Sequence, residues 1–170
     1  ADDEIFNVTI GTLNNTSACG QVGGPGSLAF RYNNYTALAA PALNTAQNYT
    51  LNVTVGQCNG FAYSGTIYAW IDYNQDGVFT HAAPEYFYTA SGTFNIAGTV
   101  FSSVIPIPAL PGAFGPTRMR ITAVESGGLA GPCNAYNWGE TEDYTVDIVG
   151  PPCSGAPVAN SVVINPQGIA

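Results

Sequence analysis

The chain has 170 residues and a formal net charge of −8, with three Arg, no Lys and eleven Asp plus Glu. That length suits about one domain with its own core, and a hydrophobic content of 46% excludes a disordered or fibrous chain. The acidity excludes nucleic acid and anionic membrane surfaces as partners and favours a cation, and no apolar run approaches the ~18 residues of a membrane span.

Taken in chain order, the pattern has a period of two almost throughout. The start, "ADDEIF", carries no basic and apolar leader, so any signal peptide is expected to have been removed. Strands are expected over 4–12 and 27–32, separated by a Gly-rich break. In 48–55 Tyr49, Leu51, Val53 and Val55 alternate with Thr50, Asn52 and Thr54. Further strands are expected over 65–71, 85–89, 93–96 and 100–107. In 118–124 Met119, Ile121 and Ala123 alternate with Arg118, Arg120 and Thr122. The last strong strand has Tyr144, Val146 and Ile148 alternating with Thr145 and Asp147. Gly- and Pro-rich breakers separate these runs, no helical period appears, and no internal repeat is visible. The expected fold is all-β: an antiparallel β-sandwich, jelly-roll-like, of about 8–10 strands.

The expected organisation is a sandwich over 1–149, a Pro/Gly linker over 150–157, and a tail over 158–170. That tail reads as the first strand of a following domain or as an exchanged strand. Six Asn-x-Ser/Thr sequons occur, at Asn7, Asn14, Asn15, Asn34, Asn48 and Asn52. They read as the by-product of Thr-rich strands beside Asn-rich turns, not as a glycan array.

The four cysteines are Cys19, Cys58, Cys133 and Cys153. With no CxxC pair and a single histidine, His81, a zinc site is not expected, and disulfides outside the cell are. Four cysteines allow three pairings, and Cys153, beyond the linker, can leave an odd cysteine among the others.

The segment after 65–71 runs Asp72-Tyr73-Asn74-Gln75-Asp76-Gly77. Alternate residues of a tightly curled loop point inward together, and a hard cation takes six to eight oxygens at ~2.3–2.6 Å. Asp72, Asn74 and Asp76 are therefore candidate calcium ligands, with the Val78 carbonyl next and Glu85 as a late ligand. An EF-hand would need a helix before the loop and a glutamate at its twelfth position; here a strand precedes it and Ala83 stands there. The competing reading is an Asp/Asn-rich hairpin turn.

A second acidic group, Glu140, Glu142 and Asp143, enters the last strand. Three acids within four residues repel one another unless compensated, by a metal shared with the Asp72 loop or by Arg118 and Arg120 on a neighbouring strand. The assignment made is Glu140 or Asp143 toward the metal and Glu142 paired with Arg120.

"YAWIDYNQDGVF", "TRMRI" and "GETEDYTVDI" together resemble the GEVED domain, a module of secreted and surface-bound bacterial proteins. Its signature Gly-Glu-x-Glu-Asp-Tyr is matched by Gly139 to Tyr144, with Thr141 at the place where valine is commoner. The resemblance runs from about Ile5 to Ile148, and it puts the loop glutamate one residue nearer the Asp–Gly turn than Glu85 stands here. The segment 151–166 resembles the opening of an immunoglobulin-like or PKD-like repeat in surface proteins of gliding bacteria, of the kind exported by the type IX system. The resemblance implies an extracellular or surface location, with neighbouring domains of a larger protein or identical subunits as partners.

The expected function is a non-catalytic, calcium-stabilised module for adhesion or spacing. One alternative is carbohydrate binding through exposed Tyr and Trp, with Tyr136 and Trp138 as candidate contacts and a glycan or surface receptor as partner. Another is a filament subunit assembled by strand addition. An enzyme is not expected: Glu140 and Glu142 share a strand face, but no nucleophile elbow occurs and His81 has no Cys or Ser partner.

Overall fold

A computed structural model of the chain describes residues 3–125 and 128–151. Ten strands are present: β1 (Asp3–Ile10), β2 (Leu13–Thr16), β3 (Tyr32–Asn34), β4 (Ala42–Asn44), β5 (Asn48–Gln57), β6 (Tyr63–Ile71), β7 (Tyr86–Phe94), β8 (Thr99–Pro106), β9 (Gly115–Glu125) and β10 (Gly139–Val149). They form two sheets, one ordered β2-β1-β5-β8 and one ordered β3-β10-β9-β6-β7, with β4 also paired to β10. The chain is an all-β sandwich. One edge departs from antiparallel order: β3 and β4 both run parallel to β10, on Thr141–Asp143 and Asp147–Val149 respectively.

Alternation explains most of the packing. On β5, Leu51, Val53 and Val55 are fully buried between the sheets, while Thr50 and Asn52 face outward. On β9, Met119, Ile121 and Ala123 point inward, and β10 answers with Tyr144, Val146 and Ile148. On β1 a bulge between Ile5 and Asn7 shifts the phase, so Ile5, Val8 and Ile10 all reach the core although Ile5 and Val8 are three apart. β6 is buried on both faces. Ile67, Ala69 and Ile71 join the main core, whereas Tyr68 and Trp70 join a second cluster with Val124 and Leu129 on the outer face of the six-stranded sheet.

Several expectations are corrected. Of the strand expected over 27–32, residues 28–31 form a turn leading into β3: Leu28 and Tyr32 exchange backbone hydrogen bonds and Phe30 takes a φ of 63°. The alternation there was misleading because Leu28 and Phe30 face solvent. The segments expected at 85–89 and 93–96 are one continuous strand, β7. β2 and β4 were not foreseen; they are only four and three residues long and pair at edges. The tail over 158–170 lies outside the described residues.

The candidate calcium loop and the acidic strand

The loop joining β6 to β7 is held at its base by backbone bonds. Ile71 N–H donates to the Glu85 carbonyl and Asp72 N–H donates to the Arg118 carbonyl on β9, both at 3.0 Å. Its oxygen-bearing side chains curl onto the loop's own backbone. The Asp72 carboxylate accepts from Gly77 N–H at 3.0 Å, the Asn74 carbonyl from Asp76 N–H at 3.0 Å, and the Asp76 carboxylate from Val78 N–H at 2.8 Å. The Asn74 amide also donates to Asp76 at 3.0 Å. Gly77 has a φ of +82°, which favours glycine there even though a Cβ would meet no neighbouring atom.

Asn74, Asp76 and Val78 are exposed, whereas Asp72 is 6% exposed and its Oδ1 is buried with no hydrogen-bond partner. Asp72 borders a cleft of about 340 Å³ with Gln75, Gly77, Phe79, Thr117 and Arg118. A buried carboxylate oxygen without a donor calls for a cation or a proton. The donor set of carboxylate, amide and carbonyl oxygens suits a hard cation such as calcium. Glu85, the expected late ligand, is held by Thr80. It is buried, and one oxygen accepts from both the Thr80 N–H and the Thr80 hydroxyl at 2.8 Å.

The acidic strand is built on different principles. Gly139 begins it with a φ of +133°, and a Cβ there would lie 2.1 Å from the Ala123 carbonyl oxygen, so only glycine fits. Alternation then sends Glu140, Glu142 and Tyr144 into the sandwich and Thr141 and Asp143 to the outer face. Glu140 is 1% exposed and spans the two sheets: it accepts from Ile5 N–H on β1 at 2.7 Å and from the Asn33 amide on β3. Glu142 is fully buried, accepts from the Tyr144 hydroxyl at 2.6 Å, and has an Oε1 with no partner. The Asn15 amide of β2 donates to the same Tyr144 hydroxyl at 2.9 Å. Glu4 on β1 is also buried, and accepts from Gly20 N–H at 2.8 Å.

Burial pushes Glu140 up to about 7, with the Ile5 N–H pulling the other way and Glu4 adding to the rise. Burial, then the Glu140 charge, raises Glu142 well above the usual carboxylate range.

Asp143 settles the expected ion pair differently. Arg120 binds Asp143 with two parallel bonds, at 2.7 and 2.8 Å, and the Tyr32 hydroxyl donates to the same carboxylate at 3.0 Å. The expected Arg120–Glu142 pair is corrected: the two face opposite sides of the sheet. Arg120 also lies over the Phe79 ring at 5.2 Å, so the guanidinium links the acidic strand to the β6–β7 loop. Of the two acids expected toward the metal, Asp143 is held by Arg120 and Tyr32, and Glu140 by Ile5 and Asn33. Among the described residues, one group of three metal-capable side chains lies within 4.8 Å, Glu4 with Cys19 and Cys58, and the two cysteines are joined in a disulfide. Cys133 is exposed and free, 3.7 Å from Arg120, and Cys153 lies outside the described residues.

Glu4, Asn33, Tyr32 and Phe79 escaped the sequence reading. For Glu140 and Glu142 a signal was present: counting back by twos from the apolar Ile148, Val146 and Tyr144 places both on the buried face.

Residues 66–147 match the family model of the GEVED domain. This segment is similar to the GEVED domain. The match spans β6 to β10 almost entire, and with it the loop and the whole acidic strand. The GEVED domain occurs in extracellular and surface proteins. No curated protein matches the chain. Among solved structures, the fold is similar to a crystal structure of the CARDB domain of the PF1109 protein from Pyrococcus furiosus, described as a complex with di-metal ions. Identity is 11%, the match covers 66% of this chain and 87% of that one, and the TM-score is 0.44. A solution NMR structure of that CARDB domain gives 13% identity, 65% and 89% coverage and a TM-score of 0.42. The di-metal ions are a property of that protein. Among the described residues no helix is long and apolar enough to cross a membrane.

Proposed function

We propose that this GEVED-like domain is a non-catalytic extracellular module whose β6–β7 loop is stiffened by calcium, serving adhesion or spacing within a larger surface or secreted protein. The observation that carries the reading is the buried, unpartnered Oδ1 of Asp72, in a loop that presents Asn74, Asp76 and the Val78 carbonyl beside it. Calcium would neutralise Asp72 and fix the tip between β6 and β7. Extracellular sites of this kind need a Kd of only ~10⁻⁴–10⁻³ M. A non-catalytic role is supported by the engagement of the signature acids: Glu140 on Ile5 and Asn33, Glu142 on Tyr144, Asp143 on Arg120 and Tyr32. Neighbouring domains or identical subunits are the partners this reading implies.

The test is thermal unfolding in EDTA and in millimolar calcium, for the parent chain and for Asp76→Ala and Asp72→Asn. A calcium-dependent rise in Tm that both substitutions remove supports the reading. No rise in the parent chain overturns it, and the charge of Asp72 would then fall to Arg118, which lines the same cleft.

A further inference from the structure

The two tryptophans have opposite environments. Trp70 is fully buried, while Trp138 is 47% exposed in the segment between β9 and β10. An indole left half in water is usually held loosely, but this one sits in a fixed segment. The Arg31 guanidinium donates to the carbonyls of Tyr136, at 3.1 Å, and of Asn137. The Tyr136 hydroxyl donates back to the Arg31 carbonyl at 2.7 Å, and Arg120 donates to the Pro132 carbonyl at 3.0 Å. The Trp138 carbonyl accepts from Glu125 N–H at 3.2 Å, which fastens the indole's own backbone to the end of β9. Tyr136, expected as an exposed contact, is thus mainly a strut.

Beside Trp138 lies a cleft of about 220 Å³, lined by Val124, Glu125, Ala135, Tyr136, Asn137 and Trp138. Among the described residues, neither the Glu125 carboxylate nor the Asn137 amide has a hydrogen-bond partner, and Asn137 is exposed. The cleft therefore brings a half-exposed indole on a tethered backbone, an unengaged acceptor pair and an unengaged amide into one small place. A pyranose ring presents the complement: a face of C–H groups that rests on an indole, and a rim of hydroxyls that donate to a carboxylate and exchange bonds with an amide. The fixed segment lowers the ordering cost of binding. The net charge of −8 and the adjacent Glu125 disfavour acidic sugars.

We propose that the Trp138–Asn137–Glu125 cleft is a binding site for a neutral hexopyranose unit of a glycan. It is separate from the calcium loop, so its success or failure is read independently by repeating the titration in EDTA.

The experiment is a titration of the chain with neutral oligosaccharides (cello-, manno- and chito-oligosaccharides) up to about 10 mM, followed by tryptophan emission and by isothermal titration calorimetry, which also reads the variant without Trp138. Trp70 is the buried internal reference. At least one series is expected to shift the Trp138 emission saturably. Trp138→Ala is expected to weaken binding at least tenfold, and Glu125→Gln severalfold, with unfolding curves unchanged for both. No saturable change with any series overturns the proposal, and so does equal binding by Trp138→Ala.

Discussion

The β6–β7 loop and the acidic start of β10 both carry three close oxygen-bearing side chains, and they use them in opposite ways. In the loop, Asn74 and Asp76 are exposed and bond only to their own turn, which leaves them open to an ion from solvent. In β10, Glu140, Glu142 and Asp143 are almost wholly buried; Glu140 is held from β1 and Asp143 from β9, while Glu142 accepts from Tyr144 on its own strand. The difference teaches that clustered acids do not by themselves imply a metal. What decides is whether burial has already forced a donor, a cationic side chain or a proton onto each carboxylate.

The sharpest way to break the comparison is to strip a buried acid of its partner. Arg120→Ala leaves Asp143 inside the fold with only the Tyr32 hydroxyl, and is expected to cost about 3–5 kcal/mol in urea unfolding. The paired change Arg120→Ala with Asp143→Ala is expected to recover part of that loss. An equal loss in both would mean that Arg120 acts through its packing on Phe79 and not through the charge.

Next in size is the response to pH. Glu140 is held up to about 7 by burial, and burial with the Glu140 charge also raises Glu142 well above the usual carboxylate range. An unfolded chain releases these protons nearer to 4.5. A raised folded value means that the stabilisation is complete below the unfolded value and is lost as pH rises through about 7. Stability is therefore expected to fall between about pH 5 and 8, at up to about 1.4 kcal/mol per pH unit for each group. Glu142→Gln should flatten that slope. A profile unchanged by the substitution would place the protons elsewhere.

Smaller effects belong to the loop. Calcium at ten times its Kd is expected to stabilise the parent chain by about 1.4 kcal/mol. In EDTA, Asp76→Ala should change stability by no more than about 0.5 kcal/mol, because its carboxylate is exposed and bonds only within the turn. A large loss in EDTA would show that the turn's own hydrogen bonds, not the ion, hold the loop.

Much of this was legible beforehand. Alternation in β5, β9 and β10 identified these long strands and their buried faces, because a period of two follows directly from backbone geometry, and β6 showed as an apolar run. The oxygen-rich turn and the signature Gly139 to Tyr144 were visible as spacing. The short edges β2, β3 and β4 were not, since three or four residues carry no usable period and their pairing depends on β1 and β10. The bulge in β1 hid the strand's phase for a similar reason: it exists only against its neighbour.

By itself, then, the sequence determined an acidic all-β chain, the ligand-like turn after β6 and the glycine that opens β10. Tertiary structure alone decided where each charge ended. It turned Glu140 and Glu142 inward against Ile5, Asn33 and Tyr144, gave Arg120 to Asp143, paired Cys19 with Cys58, and left Trp138 in the open. Strand geometry sets a residue's face locally. Which partner waits on that face depends on segments up to 135 residues away, as Ile5 is from Glu140.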